Sequence, residues 1–167
     1  KKLILVNSIA YDTDFFSKHK IFEKYIIHID TAPNYYHKTD IRGALDKKSY
    51  DNHYKYLSLF LRDISKFFNK KLIVCIHPSY NLNEHQKMLR PFKVVKYNTR
   101  ELIKKAYLVT FFDSTVILDA VVQEKRLIGI ISEFMSYNDI LRQKAWSKNI
   151  GCAIQIINNK YKFNKNK

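Results

Sequence analysis

The chain is short of glycine, proline, cysteine and arginine, and each shortage removes a class of function. Three glycines in 167 residues cannot supply a G-x-G-x-x-G turn or a Walker phosphate loop, which argues against classical dinucleotide or ATP use. With only three prolines and 46% hydrophobic residues, the composition is neither that of a linker nor that of a disordered segment. The two cysteines, Cys75 and Cys152, have no pattern of a disulfide framework or metal site, so a reducing cytoplasm is expected. No apolar run approaches the ~20 residues of a membrane span, and no signal peptide is visible. The sequence begins Lys-Lys without an initiator Met, which suggests a fragment or a trimmed chain. Arginine is scarce, at 6 residues against 24 Lys. Since Arg dominates bidentate reading of bases, this argues against a nucleic-acid groove reader.

What the chain has is positive charge and alternating pattern. A net charge of +15 suits an anionic membrane face or a polyanionic substrate. AT-rich codon usage, which favours Lys, Asn, Ile, Tyr and Phe, accounts for it equally well. Apolar runs at residues 2–7, 25–29, 71–76, 94–96, 107–112, 127–131 and 153–157 read as strands. Between them, helices are expected at 46–68, 83–89, 98–106, 114–124 and 137–148. The first of these carries Tyr50, Tyr54, Leu57, Leu61, Ile64 and Phe68 at spacings of three and four, a single apolar stripe. Asp46 is its expected N-cap, and Asn98 with Glu101 has the spacing of a capping box. Near-continuous apolar strands between helices imply an α/β, Rossmann-like, doubly wound parallel sheet of about six strands with helices on both faces. Residues 1–157 form one such domain, and 158–167 a basic tail.

Two strand ends carry the candidate chemistry. His77-Pro78 follows the run ending at Ile76; Pro78 holds His77 extended at the strand end, and an imidazole there can donate to a leaving phosphate at neutral pH. Ser114-Thr115 follows the run ending at Phe112 and is expected to open a helix, whose free N–H groups favour an anion. Asp119, five residues after Ser114 on a largely apolar segment, needs a partner: a ribose hydroxyl on the functional reading, a local Lys or Arg on the structural one. Ser114 as a simple N-cap and His77 as a structural residue are the corresponding plain alternatives. Asp12-Thr13-Asp14 matches a metal-chelating D-x-D, but ten Asp residues produce that by chance, and the histidines have no metal-ligand spacing.

The run from Asn98 to Ala106, then Phe112 to Ala120, then Lys125-Arg126-Leu127-Ile128 resembles the donor-binding half of GT-B glycosyltransferases of bacterial surface polysaccharides. Capsule Kdo transferases, polysialyltransferase-like enzymes and teichoic-acid glycerophosphotransferases share this scheme. The resemblance implies that His77, Pro78, Ser114 and Thr115 hold the phosphate of a CMP-, CDP- or UDP-activated sugar donor, with Asp119 facing the nucleotide and His77 catalytic. Asp30, Asp113 and Glu101 complete the implied set, and Asp30 and Asp40 are the substitutes at hand for a missing general base. It further implies a polysaccharide or glycolipid acceptor, peripheral association with an anionic membrane, no cofactor and no metal, and a partner acceptor domain absent from this chain. Arg126 stands where relatives often have Pro, and Ile117 where they often have Gly. A non-enzymatic basic nucleic-acid-binding or scaffold domain and a flavodoxin-like regulatory domain are the competing expectations.

Overall fold

A computed structural model describes residues 24–31 and 46–163. The strand expected at 2–7, the Asp12-Thr13-Asp14 triplet, Asp40 and the end of the basic tail lie outside the described residues. The elements run β1 (Tyr25–Asp30), α1 (Lys47–Phe67), β2 (Lys71–Ile76), α2 (Leu82–Met88), β3 (Lys93–Val95), α3 (Thr99–Lys104), β4 (Ala106–Phe111), α4 (Ile117–Val122), β5 (Arg126–Ser132), α5 (Tyr137–Ile150) and β6 (Ala153–Ile157). All pairings are parallel, in a six-stranded sheet of order β3-β2-β1-β4-β5-β6. That is the doubly wound order of Rossmann-like folds, with a topological switch between β1 and β4.

The alternation of side chains along a strand explains the two cores. One joins Ile26, Leu72, Val74, Ile76 and Leu108 of the sheet to Tyr50, Tyr54, Leu57, Phe60, Leu61 and Ile64 of α1. The other joins Ile27, Ile29, Cys75, Val109 and Phe111 to Ile103 of α3 and to Ile117 and Ala120 of α4, with Trp146 of α5 packed against it. Helices therefore cover both faces, as right-handed crossovers running first one way and then the other from the switch point require.

Local signals succeeded where side chain and backbone agreed. Asp46 caps α1, its Oδ1 accepting from the Ser49 N–H at 3.0 Å, and Gly151 ends α5 in the left-handed region at φ 73°. Gly129 of β5 has a packing reason instead: α5 approaches so closely that a Cβ there would press on Ser147 Oγ and lie 2.9 Å from Gln143 Nε2. Two expectations are corrected. Asn98 makes no side-chain cap bond, because its backbone is left-handed at φ 55° rather than extended as an N-cap requires. Its box partner Glu101 instead accepts from Lys104 Nζ at 2.9 Å. Helix α4 begins at Ile117, three residues later than the hydroxyl pair suggested.

Candidate functional site

Because every strand is parallel, His77, Asp30 and Ser114 fall at one edge of the sheet. Asp30 ends β1 and pairs in register with Ile76, the residue before His77. Ile29 pairs with Phe111, three residues before Ser114. With a strand spacing of about 4.8 Å, the chains bearing His77 and Ser114 bracket β1 about 10 Å apart. The ends of β1 and β4 are tied across the switch point, where Thr31 Oγ1 donates to the Asp113 carbonyl at 3.0 Å. Ligands of open α/β sheets bind in the crevice at this position.

His77 is exposed, and its loop fixes its tautomer. The Ser79 N–H donates to His77 Nδ1 at 3.2 Å, and Ser79 Oγ lies 2.7 Å from the same nitrogen. A neutral ring therefore carries its proton on Nε2, the atom left to donate. Lys96 Nζ donates to the Pro78 carbonyl at 3.0 Å, bringing a cation to the same loop.

Ser114 is buried and Thr115 exposed, in the turn before α4. The N–H groups of Ile117, Leu118 and Asp119 bond back to the carbonyls of Ser114, Thr115 and Val116 at 3.1–3.2 Å. The cradle of free helix N–H groups expected at Ser114 is thus already satisfied by the chain at those three positions. What remains for a ligand is the hydroxyl chemistry and the flanking cations. Asp113 lies 2.8 Å from Arg142 Nε, and Arg142 also reaches Asp139. Asp119 accepts from Arg100 Nε at 2.9 Å, so a local arginine meets the need for a partner. Glu101 is exposed and paired with Lys104.

Apart from Asp30, the polar cluster behind β1 lies outside the sequence motifs. Asp30 is completely buried, and Tyr54 and His85 nearly so. Tyr54 Oη donates to Asp30 Oδ2 at 3.0 Å and lies 3.1 Å from His85 Nε2; His85 Nδ1 is 2.9 Å from the Asn81 carbonyl. A carbonyl only accepts, so Nδ1 carries a proton. A neutral ring then presents Nε2 as an acceptor, so the Tyr54 hydroxyl stands between that nitrogen and the Asp30 carboxylate. Burial, with Asp30 next in order, pushes the Tyr54 phenol well up.

His28 and His53 lie beside this triad, both fully buried. His28 Nδ1 meets Thr110 Oγ1 at 2.9 Å, while His28 Nε2 and both His53 nitrogens have no hydrogen-bond partner. Burial lowers both rings to about 3; at His28 the neighbouring His53 adds to the shift. Both are neutral imidazoles packed on Phe112, at ring separations of 5.6 and 5.1 Å. His28 is the alternating partner of Ile26 and Asp30 on one strand face, a period-two signal that could have found it. Among the described residues, no three His, Cys, Asp or Glu side chains group as a metal site, and no helix is long and apolar enough to cross a membrane.

No protein-family model matches the chain, and no curated protein matches it. Among solved structures, an NAD-binding oxidoreductase from Klebsiella pneumoniae is similar at 11% identity and a TM-score of 0.33, over 80% of this chain. The chain spans 34% of that protein's length.

Proposed function

We propose that this Rossmann-like domain binds the phosphate of a nucleotide-activated sugar, CMP-, CDP- or UDP-linked, as the donor half of a GT-B-type glycosyltransferase of bacterial surface polysaccharide synthesis. One observation supports this most: His77 and the Ser114-Thr115 pair stand at the same carboxyl edge, on either side of β1 at the switch point. The fixed Nε2–H of His77 and the Thr115 hydroxyl are suited to charge developing on a leaving phosphate. The acceptor, a polysaccharide or glycolipid, would be met with a second α/β half, in the cytoplasm beneath an anionic membrane.

Calorimetry with CMP, CDP and UDP tests the reading. Each lost hydrogen bond to a charged group costs about 1.5–3 kcal/mol, so Ser114→Ala and Thr115→Ala should each weaken binding by about tenfold or more. Unchanged affinity in the double variant removes the hydroxyls from the phosphate site. Steeply salt-dependent binding to generic nucleic acid, without nucleotide binding, would favour a basic scaffold instead.

A further inference from the structure

The salt bridge between Arg100 and Asp119 joins an open side chain to a closed one. The Arg100 side chain is 57% exposed and that of Asp119 3%. Ordinary surface pairs leave both partners mobile. Here the carboxylate is buried in the first turn of α4, and it holds the guanidinium through Nε, at 2.9 Å. Among the described residues, the two terminal nitrogens of Arg100 have no hydrogen-bond partner. That end of the guanidinium is a planar fork of donors, matched to two oxygens of one phosphoryl group.

Its position is equally specific. The Asp119 N–H bonds to the Val116 carbonyl, so Asp119, with the guanidinium it holds, belongs to the turn that follows the exposed Thr115. Arg100 enters from the β3–α3 connection, where Tyr97 and Asn98 are consecutively left-handed at φ 62° and 55°. Such backbone is costly for a residue as bulky as Tyr97, and it delivers Arg100 to the carboxyl edge. Glu101, the nearest acid in sequence, is engaged by Lys104 and does not compete. Arg142, by contrast, is held by both Asp113 and Asp139.

We propose that Arg100 is the phosphate-gripping residue of this crevice and that Asp119 is its positioning residue. The inference rests on the reading that the crevice takes a phosphorylated ligand, and it names the group that recognises it. The ligand's phosphoryl oxygens would meet the end-on fork of Arg100 on one side and the Thr115 hydroxyl on the other.

Calorimetric titration of the chain with CDP and with inorganic pyrophosphate tests this. Arg100→Gln should weaken both ligands by at least tenfold, and Arg100→Lys, which keeps the charge but not the fork, by an intermediate factor. Asp119→Asn should weaken them severalfold, yet add almost nothing in the Arg100→Gln background, because a residue that serves the ligand through Arg100 has nothing left to position there. Circular dichroism on the same samples verifies that each variant is folded. Unaltered affinity in Arg100→Gln overturns the proposal and leaves the phosphate reading standing. Additive losses in the double variant overturn the positioning role of Asp119. A wild-type chain that binds neither ligand overturns both the proposal and the reading beneath it.

Discussion

Acid should unfold this domain earlier than its carboxylates alone would allow, because two imidazoles are buried without charge. His28 and His53 ionise at about 3 in the folded chain against an ordinary 6.5. The unfolded chain therefore takes up protons that the folded chain refuses. Stability is complete above about pH 6.5 and falls as the pH drops from there toward about 3. At pH 5 an unfolded imidazole is almost fully protonated and a folded one almost not at all, which costs about 2 kcal/mol per ring and about 4 for the pair. Since small domains are stable by only about 5–15 kcal/mol, such a loss is close to decisive. Hydrogen-bonded carboxylates act lower on the scale; Asp46, held below its usual range by the Ser49 hydroxyl, surrenders its contribution only in stronger acid.

The assay is a series of urea melts at pH 8, 7, 6 and 5, followed by the fluorescence of Trp146, the single tryptophan. His53→Phe is the decisive variant, since the ring already packs among Tyr54 and Phe112 at 5.0 and 5.1 Å and Phe cannot titrate. The wild type should lose about 4 kcal/mol between pH 8 and pH 5, and the variant about half of that. Equal losses in the two proteins would refute the reasoning, since the His53 ring would then contribute nothing to the slope.

Two further outcomes follow from the packing. Gly129→Ala should destabilise by about 1–3 kcal/mol through overpacking, and a second change, Ser147→Ala, should recover part of it by removing the Oγ that the new methyl meets; denaturant melts of the three proteins check both. Tyr54→Phe should cost about 2–6 kcal/mol, because it strips hydrogen bonds from two buried groups, Asp30 and His85, at about 1–3 each; a loss under 1 kcal/mol at pH 7.5 in the same melts would mean that the triad is not closed through Tyr54.

The strands were legible because both faces of a parallel sheet are covered, so apolar runs such as Leu72–Ile76 have no solvent side to break them. The stripe of α1 and the stop at Gly151 were legible for the same kind of local reason. Residue Asn98 was misread because a capping box is a spacing, and spacing does not reveal the left-handed backbone that disables the cap. The start of α4 slipped because Ser114 and Thr115 are compatible with a helix start, while the chain spends that turn on short-range carbonyl bonds. The partner of Asp119 was recognised as a need but not as Arg100, since a pairing across 19 positions depends on how α3 packs beside α4.

The polar cluster was hidden for a deeper reason, which also bears on what β1 is for. On its α1-facing side, β1 runs Ile26, His28, Asp30, from an apolar end to a carboxylate. Helix α1 runs antiparallel and mirrors this: Tyr50, His53 and Tyr54 lie toward the carboxyl edge, and Leu57, Phe60, Leu61 and Ile64 away from it. Polarity thus rises along the centre of the sheet toward the switch point, inside a core where each unpaired polar atom costs free energy. A domain selected only to fold would continue Ile26 with further aliphatic residues, as β2 does with Leu72, Val74 and Ile76. That β1 does not, at the one strand shared by both halves of the winding, places the cost of the buried histidines and of Asp30 beneath the crevice where a ligand would sit.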